Sequence, residues 1–416
     1  MLMINTRLKI GILSYRSNPY CGGQGVYVRN LSKALCELGH DVEVIAGPPA
    51  PFLTSKPKLT MIKTMDFYNP ENLFRTPKLH ELKDPVNLIE WLSISTMGYP
   101  EPLTFGMRIK KNLLKKTDKY DILHDNQSLS YAILSLARKL PVTATIHHPI
   151  TIDRRIAIKS TRSFLKKLKH MRWYSFIEMQ KYVAKRLLKI ITVSKSSKND
   201  ISKDFSIPKN KFKVIPIGIN TEIFHPIDTI KKEPNRLIVT NSSDIPLKGL
   251  YYLLHAIKNI SKKRNIKLTI IGSPRKNGGI EKLIKNFYLQ NHVKFTGRIH
   301  HIRFVKEYAR AGIAVVPSIY EGFGLPVGEA MACRTPVICT TGGALPEVAG
   351  NAAKLVPPAD SMALEVAIKE LLDDPKECER LAHAGYKRVL KHFTWEKTGI
   401  KTVEAYREII NDYNRF

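Results

Sequence analysis

Short apolar runs alternate with helical stretches along almost the whole chain, and this alternation constrains the fold more than any other feature. The first half carries "RLKIGILSY", "VEVIAG", "YDILHD", "PVTATIHH" and "LKIITVS". The second half carries "RLIVTNS", "IKLTIIGS", "HVKFTGR", "IAVVPS", "TPVICT" and "AAKLVP". Amphipathic or turn-forming segments separate them. After "RLKIGILSY" a glycine loop, "PYCGGQGVYVRNL", leads into the helical "SKALCELGHD", with Gly39 as its stop. Strands alternating with helices predict parallel sheets with crossovers. The pattern pauses after "KFKVIPIGINTEIFHP" and restarts beyond Pro226. The expectation is an α/β chain with two doubly wound, Rossmann-like domains, residues 1–222 and 223–395. A helical tail, 396–416, would cross back to the first domain. A chain of 416 residues suits two cores better than one. Open α/β sheets bind ligands outside the carboxyl ends of their strands. Two such edges facing an interdomain cleft would let two substrates meet there.

Composition narrows the partners. The net charge is +31, from 67 basic and 36 acidic residues, which points to an anionic partner: nucleic acid, an anionic membrane or a phosphorylated substrate. A lysine-rich surface that is merely solvated is the plain alternative. The five cysteines, Cys21, Cys36, Cys333, Cys339 and Cys378, fit neither a disulfide framework nor a zinc site, and Cys333 and Cys339 read as core thiols. No apolar run approaches a bilayer-spanning length, and the amino-terminal residues lack a signal-peptide pattern. The expected setting is the cytoplasm, with peripheral contact to the inner face of the cell membrane as an option.

The stretch richest in chemistry is "EGFGLPVGEAMACRTPVICTTGGALPEV", Glu321 to Val348. It follows the apolar "IAVVPS" and so leaves the carboxyl end of an expected strand. Pro326 suits the first turn of a helix, where its missing N–H costs nothing. The free amides and positive dipole end of that helix suit a phosphate. Glycines in the loop allow close backbone approach. Glu321 stands before the loop and Glu329 about one turn into the helix, where carboxylates can accept hydrogen bonds from vicinal hydroxyls. A phosphate seat between two hydroxyl acceptors describes a nucleotide-sugar site. A helix cap with two solvated carboxylates is the bland reading of two glutamates alone.

The full motif resembles the signature of the retaining glycosyltransferases of family 4, which have the two-domain GT-B fold. The resemblance runs through the chain in order: "GGQGVYVRNLSKALCELGHDVEVIAG", "YDILHDN", "VTATIHHP", "IITVSKSSKNDI", "VIPIGINTEIFHP", "PLKGLYYLLHAI", "LTIIGS", "VKFTGRI" and "GGALPEV". It implies a role for individual residues. Glu329 would accept from the ribose hydroxyls, and Glu321 would hold a hydroxyl of the donor sugar. The amides of Phe323, Gly324 and Leu325 would contact the sugar and its phosphates. Lys248 would neutralise the leaving diphosphate. Gly23 would approach the phosphate, where a Cβ would collide. His147 would lie beside the donor sugar, with His148 structural or on the acceptor side. Arg298 and Ile299 would hold the base, partly by main chain. Glu321, His147 and Lys248 are the expected catalytic set.

One departure from the family pattern concerns charge. Family members carry an arginine five residues before the lysine, and here that position is Ser243. A hydroxyl donates a hydrogen bond but balances no charge, so Arg275 or Arg298 are candidates to substitute. The chain has no D-x-D, so no metal is expected, and Lys248 with the helix N-terminus at Val327 would supply the positive field. No cofactor is expected beyond the nucleotide sugar, a UDP- or GDP-sugar, as co-substrate. The resemblance implies same-face transfer to a hydroxyl acceptor, lipid-linked or glycan, with the leaving phosphate taking the acceptor's proton. The products would serve glycolipid, envelope polysaccharide or related glycoconjugate synthesis.

A basic stretch follows the histidine pair. Residues 151–200 hold 14 Lys or Arg against 3 Asp or Glu, interleaved with Ile156, Phe164, Leu165, Leu168, Trp173 and Phe176. Arg162, Lys166, Lys167, Lys169 and Arg172 are candidate contacts to anionic lipid or to the acceptor. A helix packing its apolar face on its own domain is the competing reading. Nucleic acid is the weakest partner, because no RNA-binding module accompanies the aromatics. The alternative to an enzyme is a non-catalytic membrane- or nucleic-acid-binding protein on a GT-B scaffold. A glycan phosphorylase lacks support, since no pyridoxal-lysine motif is present.

Overall fold

The computed structural model describes residues 7–17, 23–69, 71–159, 161, 163–240 and 245–415. The chain divides into two compact units. The first holds residues 1–193, 197–216 and 395–416, and the second 194–196 and 217–394. Ile219 belongs with the second unit, where its N–H donates to the Phe393 carbonyl at 2.7 Å.

The first unit is a seven-stranded sheet of β1 (Lys9–Ser14), β2 (Asp41–Ala46), β3 (Lys58–Met61), β4 (Ile122–Asn126), β5 (Val142–Ile146), β6 (Ile190–Thr192) and β7 (Phe212–Val214). Their order is β3-β2-β1-β4-β5-β6-β7, and every pairing is parallel. The strands that were legible as apolar runs are the central ones, buried on both faces: Ile12, Leu13, Val44, Leu123 and Ala144 are all sealed from solvent. β3 had no apolar run to betray it. It is a short edge strand, "KLTM", whose residues are all exposed or half-buried, so nothing required it to be hydrophobic.

The second unit is a six-stranded sheet of β8 (Glu233–Thr240), β9 (Lys267–Ile271), β10 (Val293–Phe295), β11 (Ala311–Val316), β12 (Val337–Thr340) and β13 (Lys354–Val356). The order is β10-β9-β8-β11-β12-β13, again parallel throughout. Its core packs Leu237, Ile270, Val315 and Ile338 against Leu253, Ile257, Leu364 and Ile368 from two helices.

The tail forms the helix Trp395–Tyr413 and belongs to the first unit. Gly399 lies against the helix Gly23–Glu37, where a Cβ would meet Leu38 at 3.0 Å and Ala34 at 3.3 Å. Tyr406 is fully buried and its hydroxyl sits 2.5 Å from His124 Nδ1 on β4.

Candidate active site

In the second unit, the chain leaves the carboxyl end of β11, turns through Pro317–Gly324 and enters the helix Leu325–Ala332. Gly324 is the helix cap with φ 105°, and a Cβ there would press to 2.7 Å on Leu345. Leu345 lies in the "GGALPEV" segment, which backs this turn: the N–H of Ala344 donates to the Glu321 carbonyl at 2.9 Å. Glu347 of the same segment accepts the backbone N–H groups of Lys195 and Ser196, at 2.8 and 2.6 Å, and so acts as a backbone clamp. Ser194 adds a hydrogen bond to the Gly322 carbonyl at 2.7 Å. None of the N–H groups of Phe323, Gly324 and Leu325 donates to an acceptor among the described residues. Phe323 itself buries its ring edge-on against Phe393.

Lys248 reaches the same turn. It ends a short 3-10 turn closed by Gly249, which has φ 66°. A Cβ on Gly249 would collide with the Pro317 carbonyl oxygen. The Ile319 N–H donates to the Leu247 carbonyl at 2.7 Å, joining this turn to the loop after β11. Lys248 Nζ then lies 2.7 Å from Glu321 Oε1, which also accepts from Ser318 Oγ at 2.8 Å. Two residues assigned separately to phosphate and sugar are therefore bonded to each other. An ammonium has three donors and a carboxylate two oxygens, so Lys248 keeps N–H groups and Glu321 keeps Oε2 for a ligand.

Glu329 sits one turn into the helix, and its carboxyl has no hydrogen-bond partner among the described residues. Burial pushes its carboxyl up to about 7. Arg298 is exposed and Ile299 half-buried just beyond β10, after Gly297, whose backbone bridges to Gly272. Arg275 is also exposed. Ser243 lies outside the described residues, so the substitution for the family arginine has no geometry to report.

In the first unit, His147 follows β5. Asn126 Nδ2 donates to Ser14 Oγ at 3.3 Å, leaving its carbonyl oxygen 2.8 Å from His147 Nε2. That assigns the proton to Nε2 and leaves Nδ1 as an acceptor. The ring stands edge-on to Tyr27 at 4.7 Å. Burial, reinforced by the neighbouring His148 and His124, pushes its pKa down to about 3, so the ring is neutral. Beneath it runs a buried chain, Tyr27–Thr145–His124–Tyr406, with contacts of 3.1, 2.6 and 2.5 Å. Asn126 and Tyr27 escaped the sequence reading, because nothing in their local spacing marks a residue that orients another. His148 pairs with Asp153 at 2.8 Å. Gly23 opens the helix Gly23–Glu37, and a Cβ there would meet no protein atom within 4 Å. Among the described residues there is thus room for a side chain at this position.

The basic stretch is three helices, Ile150–Lys159, Phe164–Trp173 and Phe176–Arg186, rather than one. Its aromatics divide. Trp173 and Phe176 turn inward to Tyr99, at 5.1 and 5.3 Å. Phe164, Leu165 and Leu168 stay outside, 71%, 69% and 44% exposed, and the helix that carries them buries no residue. Within this helix Trp173 packs on its own domain, whereas Phe164, Leu165 and Leu168 do not. Arg172 is committed to Ser93, Thr96 and Ser175, whereas Lys166, Lys167 and Lys169 make no ion pair among the described residues. Arg162 lies outside the described residues. Among those residues no helix is long and apolar enough to cross a membrane, and no group of three or more His, Cys, Asp or Glu is placed to hold a metal ion.

Residues 21–223 match the family model "Glycosyltransferase Family 4", and residues 222–388 match "Glycosyl transferases group 1". The MMP alpha-(1->4)-mannosyltransferase of Mycolicibacterium hassiacum is 40% identical, across 97% of this chain and 98% of its own. The chain belongs to glycosyltransferase family 4. Solved structures agree on the fold of this glycosyltransferase. The sucrose-phosphate synthase of Thermosynechococcus elongatus superposes with a TM-score of 0.74 at 22% identity, over 98% of this chain and all of that one. Anabaena HepE in complex with UDP-glucose gives 0.66 at 15% identity, over 97% and 100%. The glycosyltransferase thus has the GT-B architecture, and its membership of the family makes its reaction glycosyl transfer. Membership decides for the enzyme over a non-catalytic scaffold.

Proposed function

We propose that this enzyme is a metal-independent, retaining hexosyltransferase that moves a mannosyl group from a nucleotide sugar to a hydroxyl of a glycan. The observation that carries the donor assignment is Lys248 held at 2.7 Å by Glu321 beside three unused backbone N–H groups. A fixed cation and oriented amides are the groups that stabilise a departing diphosphate. Glu321, already anchored by Lys248 and Ser318, offers its second oxygen to a sugar hydroxyl. Glu329 accepts from the ribose, and the main chain around Arg298 and Ile299 holds the base. Neutral His147 offers Nδ1 to a substrate hydroxyl rather than acting as a cation. Mannose is favoured because the full-length relative at 40% identity bears that name. No carboxylate is proposed as nucleophile. Transfer is same-face, and the leaving phosphate accepts the acceptor's proton.

The test is a panel of UDP-, GDP- and ADP-linked sugars with product anomers read by NMR. Mannosyl transfer from one nucleotide-mannose with α product, undiminished by excess EDTA, is the expected result. A β product excludes retention, and activity abolished by EDTA and restored by magnesium excludes metal independence.

We further propose that the helix Phe164–Trp173 rests on anionic membrane. Its exposed Phe164, Leu165 and Leu168 supply a salt-resistant part, and Lys166, Lys167 and Lys169 each add about 1 kcal/mol near the surface. Sedimentation with vesicles should show binding that rises with anionic lipid and partly survives moderate salt. Replacing the three lysines with Gln should remove most of it. Indifference of the unaltered protein to anionic vesicles at low salt would leave this face to the acceptor.

A further inference from the structure

A groove in the first unit, separate in its residues from everything assigned above, is built for an anion. It has a volume of about 820 Å³ and lies between the β2–β3 edge and the helices Pro85–Ser95 and Glu101–Leu113. That size suits a small-molecule ligand. Lys63, Lys111, Lys116 and Lys119 stand on its walls, all exposed. The side chains of Lys63, Lys111 and Lys116 make no hydrogen bond or ion pair among the described residues.

At the wall of the groove lies Arg108, whose side chain is only 9% exposed. Its Nη2 is satisfied by Glu90 at 2.5 Å and Asn87 at 2.6 Å. Its Nη1 is buried and has no hydrogen-bond partner among the described residues. A buried guanidinium nitrogen without an acceptor costs free energy that a ligand oxygen would recover. The acids on the same walls are already engaged. Glu43 accepts from Thr60 and from Tyr120, Glu81 takes both ends of Arg75, and Asp84 caps the helix Pro85–Ser95 by accepting from Val86. The cations lining the groove outnumber these three acids, so it presents a positive field to a ligand.

We propose that this groove is a second binding site, for a small molecule that presents a diphosphate group. A single carboxylate would leave most of the lysines unmatched. Two linked phosphates carry enough charge to pair with several of the ammonium groups that line the groove together with Arg108. The proposal goes beyond the transfer reaction and uses none of its residues.

Pyrophosphate is the probe, titrated calorimetrically into full-length protein carrying Lys248→Ala, so that the donor seat does not contribute. One pyrophosphate site should remain. Adding Lys63→Gln, Lys111→Gln and Lys119→Gln should weaken it at least tenfold. A matched control, Lys263→Gln, Lys282→Gln and Lys285→Gln in the second unit, should change it less than twofold. Replacing the three groove lysines with Arg should restore binding to within about threefold, which a folding defect would not allow. UDP in place of pyrophosphate separates the sources of the group. Equal or tighter binding assigns a nucleoside diphosphate, and weaker binding assigns free pyrophosphate. Three outcomes overturn the site: no pyrophosphate binding to the Lys248→Ala protein, unchanged affinity in the groove variant, or equal losses in the groove and control variants.

Discussion

Glu329 and Lys248 carry opposite electrostatic problems. Glu329 is a carboxyl in a poorly solvated place, and burial raises it to about 7 from an ordinary value near 4.5. The folded state therefore binds more protons than the unfolded one between about pH 4.5 and 7. This group's contribution to stability is largest below that window and falls as pH rises through it. Ligand binding runs the other way, because hydroxyls donate best to the ionised form. Nucleotide affinity should climb from pH 5.5 to about 7.5 and then level off. Glu329→Gln should flatten that profile and weaken binding at least tenfold, as followed by nucleotide titration at several pH values. A steep profile retained by the Gln variant would mean another group is responsible. Lys248→Ala removes a charge-assisted contact of about 1.5–3 kcal/mol, so donor affinity should fall at least tenfold. The melting temperature should drop only slightly, because the Lys248–Glu321 pair is partly solvated and such pairs add little to stability. An affinity unchanged by both variants would remove the donor seat from this loop.

The turns of the second unit decide where these side chains point. Gly249 has φ 66° and no room for a Cβ against Pro317. Gly249→Ala should destabilise the protein by about 2 kcal/mol and lower donor affinity as well, because Lys248 rides on the same turn. Gly23 makes the contrasting case. It has helical neighbours after it and open space around it. Gly23→Ala should leave the melting temperature unchanged or raise it, while donor affinity falls if a phosphate approaches there. Thermal denaturation alongside nucleotide titration separates the two. Equal melting temperatures for both variants would contradict the Gly249 argument.

Over the whole molecule, the first unit is completed by residues far apart in sequence. Tyr406, on the tail helix, closes the buried chain that runs through His124 and Thr145 to Tyr27, under His147. Burial pushes His124 down to about 3, so it stays neutral and needs one donor and one acceptor. Tyr406→Phe leaves its Nδ1 without a hydrogen-bond partner and should cost about 2 kcal/mol. The loss should show in chemical denaturation with the m-value unchanged. A shift below about 0.5 kcal/mol would mean that water takes the hydroxyl's place.

The sequence by itself determined the fold class and marked the loop proposed here as the donor seat. Strands buried on both faces must be apolar runs, so the sheets were legible in linear spacing, and a strand-ending loop of glycines, a proline and two carboxylates stands out in the same way. β3 was not, because an exposed edge strand has no need of apolar side chains. Only the tertiary structure decided which partners each group has. The bond between Lys248 and Glu321 spans 73 positions and the one between His124 and Tyr406 spans 282. No local period encodes such pairs. The same holds for the exposed face of Phe164–Trp173 and for Arg108. Their side chains read as ordinary basic amphipathic sequence, and only packing leaves one set uncovered and one guanidinium nitrogen without an acceptor.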